Sequence, residues 1–256
     1  MNDFDEKIAI VTGATSGIGR ATAVKLAAAG AKIAAVGRNQ TALNDLKNEI
    51  ESSGGIVQII CGDVTIESDV QKIVVETVAN FSQIDILVNA AGIILNGSIE
   101  TTKLEDYDSL MNINVRSVFL LMQMVLPELE KTRGNVVNVS SVAGTRAFPG
   151  VLAYCISKAA VDQLTRCSAL ELAPKQIRVN AVNPGVVITD LHKRAGMSEE
   201  NYQAFIERSA ATHPLGRAGN PEEIADLILF LASDKAAWIT GATYSIDGGR
   251  AQTCAR

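Results

Sequence analysis

The N-terminal stretch constrains the fold most. Residues 7–12 (KIAIVT) form a short apolar run rich in β-branched side chains, suited to a strand buried on both faces. The glycine-rich turn Thr12-Gly13-Ala14-Thr15-Ser16-Gly17-Ile18-Gly19 follows. An Ala-rich helical pattern then runs from about residue 20 to 29 and closes at Gly30. The same alternation recurs along the chain. Strands are expected at 32–36, 56–61, 84–89, 135–139, 177–182 and 243–247. Helices are expected at 41–52, 67–80, 104–131 (long enough to bend), 153–172 and from 221, where Pro221 suits the first helical position. Strands alternating with helices imply a parallel sheet covered on both faces. No linker, repeat or low-complexity tract divides residues 1–256. The expectation is one α/β domain, a doubly wound Rossmann-type sheet of about seven strands.

The 256 residues are 47% hydrophobic, enough for one sizeable core, and the net charge is -5. A mildly acidic chain reads as soluble and argues against nucleic acid or a membrane surface as partner, because both favour a basic face. No apolar run looks long enough to span a bilayer; the longest candidate, 118–125, is too short and is interrupted by Gln123. The N-terminus is acidic without an apolar signal region, so the expected location is cytoplasmic. Cys61, Cys155, Cys167 and Cys254 are far apart and form no CxxC pair, so free thiols are expected rather than disulfides or zinc. With His192 and His213 as the only histidines, a metal site has little to draw on.

Backbone N–H groups at a helix N-terminus, with no side chains in the way, make a site for a pyrophosphate. The spacing here is GxxxGxG rather than GxGxxG, and the Lys-Ser/Thr ending of a phosphate-loop NTPase is absent. The plain alternative is an ordinary tight turn.

Tyr154 and Lys158 are four apart on an expected helix and share a face. By itself such a pair arises readily by chance. Its chemistry is coherent, however. A tyrosine is a poor base at neutral pH, and a nearby ammonium together with an oxidised nicotinamide ring would favour the phenolate and lower its pKa. Tyr154 could then give a proton to a carbonyl being reduced or take one from an alcohol being oxidised. Ser141, at a strand end, could hydrogen-bond the same substrate oxygen, with Ser140 as rival.

These residues resemble the short-chain dehydrogenase/reductase family over almost the whole chain. The glycine loop fits TGxxxGxG. Asn89-Ala90-Ala91-Gly92 fits NNAG with Ala90 in place of Asn. Asn114 fits the family's asparagine, Ser141 lies thirteen residues before Tyr154, Tyr154 and Lys158 fit YxxxK, and Asn183-Pro184-Gly185 fits NPG. The resemblance implies Asn114, Ser141, Tyr154 and Lys158 as the catalytic set. Lys158 would bind the nicotinamide ribose and lower the tyrosine pKa; Asn114 would hold a water in a proton relay to Lys158. The implied cofactor residues are Gly13, Thr15, Ser16, Gly17, Ile18 and Gly19 in the loop, then Arg38 and Asn39. Asp63 would face the adenine, with Val64 beside it, and Asn89 the adenine-side ribose, next to Ala90, Ala91 and Gly92. Pro184, Gly185, Val187 and Thr189 would hold the carboxamide end and the diphosphate. Members are commonly homotetramers, with the 104–131 and 153–172 helices at one interface.

A carboxylate at the end of the second strand would bind the ribose 2′-hydroxyl of NAD and repel a 2′-phosphate. Position 37 is glycine, and Arg38 could pair with that phosphate, so NADP(H) is expected and NAD(H) is the alternative. Ser16 stands where NADP-type members often carry a second basic residue.

The segment 190–215, with His192, Met197, Tyr202, Phe205 and Ile206, resembles a mobile substrate lid suited to a lipophilic ketone or alcohol. His213-Pro214-Leu215-Gly216-Arg217, Pro221-Glu222-Glu223 and Ile246-Asp247-Gly248-Gly249 are similar to the 3-oxoacyl-[acyl-carrier-protein] reductase branch. They are shared with sugar, steroid and small-alcohol dehydrogenases. A carrier-protein substrate would favour a basic patch, for which Arg116, Arg146, Lys193 and Arg194 are candidates. The rival class is a nucleotide-binding regulatory protein that has lost turnover; its signature would be a broken catalytic set.

Overall fold

The computed structural model describes residues 3–253; Met1, Asn2 and the Cys254 thiol lie outside the described residues. In chain order the main elements are β1 (Ile8–Thr12), α1 (Gly17–Ala28), β2 (Lys32–Gly37), α2 (Gln40–Ser52), β3 (Ile56–Cys61), α3 (Glu67–Phe81), β4 (Ile86–Asn89), α4 (Leu104–Met111), α5 (Ser117–Thr132), β5 (Asn135–Val139), α6 (Leu152–Leu172), β6 (Arg178–Pro184), α7 (Leu191–Arg194), α8 (Glu199–Thr212), α9 (Pro221–Ala232) and β7 (Thr243–Ile246). The seven strands form one sheet in the order β3-β2-β1-β4-β5-β6-β7. Every pairing is parallel. The strand order reverses between β1 and β4, which opens a crevice at their C-terminal ends.

Both faces of the sheet are buried, as the continuous apolar strands require. On one face Leu26 of α1, Leu43 and Leu46 of α2, and Ile224, Ile228 and Leu231 of α9 pack on Ala9, Val11, Ile33 and Val88. On the other, Val70 and Ile73 of α3 and Leu121, Val125 and Leu129 of α5 pack on Ile10, Ala34, Leu87 and Val136. Leu43 and Leu121 are fully buried; truncating either to Ala would cost about 2–5 kcal/mol.

The helix expected to begin near residue 20 begins at Gly17, because the glycine loop itself makes the first turn. β4 starts at Ile86 rather than 84. The Asp85 side chain takes the Ile8 N–H at 2.9 Å, displacing a ladder bond there. The long helix is continuous from Leu104 to Thr132 but switches to π geometry over Asn112–Arg116, where the Ser117 N–H reaches back to the Asn112 carbonyl. Its 29 residues are long and apolar enough, by length and composition, to cross a membrane, which corrects the expectation that no segment is. Its apolar stripe is used inside the protein: Leu120, Leu121, Met122, Val125 and Leu129 are all in the core.

Candidate active site

The glycine loop closes on the start of the segment after β4. Gly13 adopts φ +64°, and a Cβ there would lie 2.8 Å from the Ala90 carbonyl oxygen. A Cβ on Gly19 would overlap the Gly13 carbonyl, so helix and turn meet only without side chains. Thr12 joins the two segments: its Oγ1 accepts from the N–H groups of Ala90 (3.1 Å) and Ala91 (3.2 Å). Above this seam lies a cavity of about 590 Å³, in the range of cofactor sites. Gly13, Thr15, Ser16, Gly17, Ile18 and Gly19 form its floor. The first turn of α1 contains no acidic residue, so its free N–H groups and helix dipole face the cavity as an anion cradle.

One end of the cavity is walled by Gly37, Arg38, Asp63 and Val64. A Cβ on Gly37 would sit 2.5 Å from Thr15 Cγ2, so the Thr15 methyl fills the space that a side chain at 37 would need. Arg38 is largely exposed, with Nη1 3.5 Å from Asp63 Oδ2. Burial raises the Asp63 pKa, but the Thr65 N–H (2.9 Å), the Thr65 hydroxyl (2.8 Å) and the Arg38 charge outweigh it. The carboxyl is therefore held below the ordinary value and is ionised at neutral pH.

The other end holds Tyr154, Ser141 and Lys158. Tyr154 and Lys158 are both buried on α6, one turn apart. Ser141 ends the segment after β5; its Oγ accepts from the Ala143 N–H at 3.1 Å and hydrogen-bonds the phenol. Ser140 takes a different role, donating to the Lys158 backbone carbonyl at 3.1 Å. In the protein alone the tyrosine pKa is pushed up to about 12, because burial outweighs the Ser141 hydrogen bond. The lysine cannot offset this from where it stands. Its Nζ donates to the Val139 carbonyl at 2.8 Å and lies 5.7 Å from the tyrosine ring centre. Burial also lowers the Lys158 pKa, to about 8, against the opposing charge of Asp162.

Asn114 lies in the π segment, buried, with both amide hydrogens and one lone pair of the amide oxygen engaged. Oδ1 accepts from the Ile93 N–H (2.9 Å), while Nδ2 donates to the Ile93 carbonyl (2.9 Å) and Ser157 Oγ (3.1 Å). A Cβ on Gly92 would be 3.3 Å from Asn114 Oδ1 and 3.7 Å from Lys158 Nζ, so Gly92 keeps a gap open between them. Ala90, Ala91, Gly92, Pro184, Gly185, Val187 and Thr189 line the cavity as well. Asn39, Asn89 and Asn114 are absent from its wall. Asn39 caps α2 through the Ala42 N–H, and the Asn89 amide donates to Asn138 Oδ1 at 2.9 Å behind the wall.

The segment 190–215 folds as α7 and α8 across the mouth. Phe205, Leu191 and His192 face the cavity, and His192 stacks on Phe205 with ring centres 4.5 Å apart. Tyr202 instead packs inward and donates to the Thr189 carbonyl at 3.0 Å. His213 is buried; Nε2 accepts from the Val186 N–H at 3.1 Å, and burial lowers its pKa, so it is a neutral brace. The four basic residues considered for a carrier-protein patch are engaged separately. Arg116 bonds the Thr65 carbonyl, Arg146 the Ala251 and Thr253 carbonyls, Lys193 pairs with Glu199, and Arg194 bonds Ser16.

Sequence reasoning did not find Ser157, Asp162 or the Arg194–Ser16 contact. Ser157 and Asp162 lie on the same helix face as Tyr154 and Lys158, and a polar residue on a buried face was the available signal. Arg194 and Ser16 are 178 positions apart and offered none.

A family model described as enoyl-(acyl carrier protein) reductase matches residues 13–251. The chain is 41% identical over 247 residues to a 3-oxoacyl-[acyl-carrier-protein] reductase of Thermotoga maritima, covering 96% of this chain and 98% of that protein. It is 37% identical over 252 residues to an NAD-dependent glycerol dehydrogenase of Listeria innocua, covering 96% and 95%. A solved Caenorhabditis elegans protein, described as a short-chain dehydrogenase/reductase of unknown function with cofactor, superposes with TM-score 0.94 at 38% identity, over 98% of this chain and 97% of that one.

Proposed function

The chain belongs to the short-chain dehydrogenase/reductase family, and from that premise we propose that it interconverts a carbonyl and a secondary alcohol with NADP(H), using Tyr154 as acid/base. As a family member it is an oxidoreductase of CH–OH groups that works with NAD(P). The observation that carries the mechanism is the meeting of Tyr154, Ser141 and Lys158 at one end of a cleft whose middle is an anion cradle free of side chains.

That cleft fits a dinucleotide. The exposed N–H groups of α1 suit a diphosphate, the side-chain-free approach of Gly13 to Ala90 lets it lie close, and Gly92 leaves room beside Lys158. When bound, the nicotinamide supplies or accepts the hydride. The protein supplies the proton. Tyr154, at about 12, is a neutral phenol at physiological pH and is ready to donate to a carbonyl oxygen being reduced. Ser141 holds the same oxygen, and the buried Lys158 lies close behind. All four members of the expected set are present, which argues against a regulatory protein that has lost turnover.

Gly37 and Arg38 support NADP(H) as the preferred cofactor: no carboxylate stands at 37, the Thr15 methyl leaves no room for one, and the Arg38 guanidinium is exposed. NAD(H) is the second reading, favoured by Asp63, which already occupies one side of Arg38. Ile94, Phe148, Leu191 and Phe205 on the cavity wall suit a lipophilic ketone or alcohol, such as a 3-oxoacyl thioester or a steroid, with 190–215 as the lid. Exposed Phe119 on α5 and Ile156 on α6 suit a homotetramer built through those helices. The free thiols Cys61, Cys155 and Cys167 suit the cytoplasm. The test is NADPH consumption against a panel of ketones, with Tyr154→Phe as control; undiminished turnover by that variant refutes the mechanism.

A further inference from the structure

Arg194 ends α7 on the lid and lines the cofactor cleft. Its Nη2 crosses to the Oγ of Ser16, the residue that precedes the first turn of α1. Ser16 makes no side-chain cap to its own helix, so its hydroxyl is left to receive the guanidinium. This is an electrostatically odd place for a cation. A helix N-terminus carries partial positive charge and favours anions, and α1 has no acidic residue in its first turn. Arg194 has no carboxylate partner either among the described residues, whereas its neighbour Lys193 pairs with Glu199 at 2.8 Å. Two sources of positive charge thus face each other across the glycine loop, and an anion between them satisfies both. Thr189, the residue just before the lid, also closes on the loop, since a Cβ on Gly17 would meet Thr189 Cγ2 at 3.0 Å.

We propose that Arg194 is a cofactor-binding residue that clamps the diphosphate seated on the glycine loop and so fastens segment 190–215 over the loaded cleft. This rests on the dinucleotide reading of the cleft, but not on which dinucleotide is preferred, because NADPH and NADH share the diphosphate. The planar guanidinium can exchange its single bond to Ser16 for two bonds to phosphate oxygens. Cofactor and lid are then linked: what binds the loop also orders the segment that covers the substrate.

The test measures dissociation constants of NADPH and NADH for wild type and Arg194→Gln by nicotinamide fluorescence. It also follows cleavage of the lid by a glutamate-specific protease at Glu199, Glu200 and Glu207. Arg194 is exposed, so the variant keeps the fold. The expected result is a loss of about fivefold to tenfold for both cofactors alike, the scale of a partly exposed charge-assisted contact. NADPH should protect the lid of the wild type and fail to protect that of the variant. Unchanged affinity and protection overturn the proposal. A loss confined to NADPH also overturns it, by moving Arg194 to the 2′-phosphate. A wild type that binds neither dinucleotide refutes the reading of the cleft itself, an outcome distinct from both.

Discussion

Asp162 carries the sharpest energetic prediction. It lies one turn beyond Lys158 on α6, 1% exposed. Its Oδ2 accepts from Asn183 Nδ2 at 2.9 Å, and the same Nδ2 donates to the Ser141 carbonyl at 3.0 Å. One buried carboxylate therefore ties α6 to the ends of β5 and β6, beside Ser141. Asp162→Ala removes the acceptor for one buried N–H and leaves a small cavity. A hydrogen bond to a charged group contributes about 1.5–3 kcal/mol, and the cavity adds roughly 1 kcal/mol. Relief of the buried charge offsets part of this, so a net loss of about 2–4 kcal/mol is expected in urea unfolding. Asp162→Asn keeps the shape and an acceptor, and should cost no more than about 1 kcal/mol near neutral pH. The pH dependence separates the two effects. Burial raises the Asp162 pKa, against the opposing Ser140, Asn183, Arg166 and Lys158 contributions. The native state then binds this proton more readily than the unfolded chain, so the stabilisation is full below the unfolded value near 3.9 and is lost as pH rises through the folded value. Wild type should gain on Asp162→Asn as the pH is lowered toward 4. A pH-independent difference, or an Asp162→Ala variant as stable as wild type, would refute the reasoning. Asp162 also favours the charged form of Lys158. The asparagine variant should accordingly move the alkaline limb of carbonyl reduction to lower pH.

Tyr154→Phe should lower kcat by about 10²–10⁴ with NADPH affinity unchanged, measured by steady-state kinetics and fluorescence titration. Arg38→Ala should weaken NADPH by roughly tenfold to a hundredfold and NADH far less, the scale of a lost charge-assisted phosphate contact; equal losses would show that Arg38 does not read the 2′-phosphate. Gly13→Ala places a methyl 2.8 Å from the Ala90 carbonyl oxygen at φ +64°. About 1–3 kcal/mol of stability should be lost, together with cofactor binding, and wild-type affinity in a folded variant would contradict the close-approach argument.

Much of this was legible in the chain because it is local. Alternating apolar runs and helical patterns predict the parallel sheet, and a glycine turn between strand and helix predicts where the crevice opens. The edges were less legible because side chains set them. Asp85 takes a ladder N–H and delays β4, and π geometry enters the long helix at Asn112–Arg116. Membership of the site was partly legible. Ser141, Tyr154 and Lys158 meet as expected, but spacing could not say that the Asn89 amide faces Asn138 behind the wall or that Asn39 serves as a helix cap. Nor could it separate Ser140 from Ser141. They are adjacent on an extended segment, and only the fold shows that one faces the phenol while the other faces the α6 backbone.

The sign of the tyrosine shift shows why contact geometry matters more than residue identity here. A lysine four residues away does not by itself lower the phenol pKa, because the ammonium bonds Val139 and burial wins. Burial acts on both groups and favours the neutral form of each. It makes the phenol, at about 12, a weaker acid and the ammonium, at about 8, a stronger one. Once Tyr154 has given its proton to a substrate oxygen, the resulting phenolate is the stronger base of the pair. Proton return from a protonated Lys158 then runs downhill. The 5.7 Å between Nζ and the ring centre is too long for a direct bond, so that return needs a bridging oxygen in the gap that Gly92 keeps open. The same arrangement works in the opposite direction only when something else stabilises the phenolate. At neutral pH the protein alone thus holds Tyr154 in the form that can donate a proton to a carbonyl oxygen, while the net direction follows the equilibrium of the overall reaction.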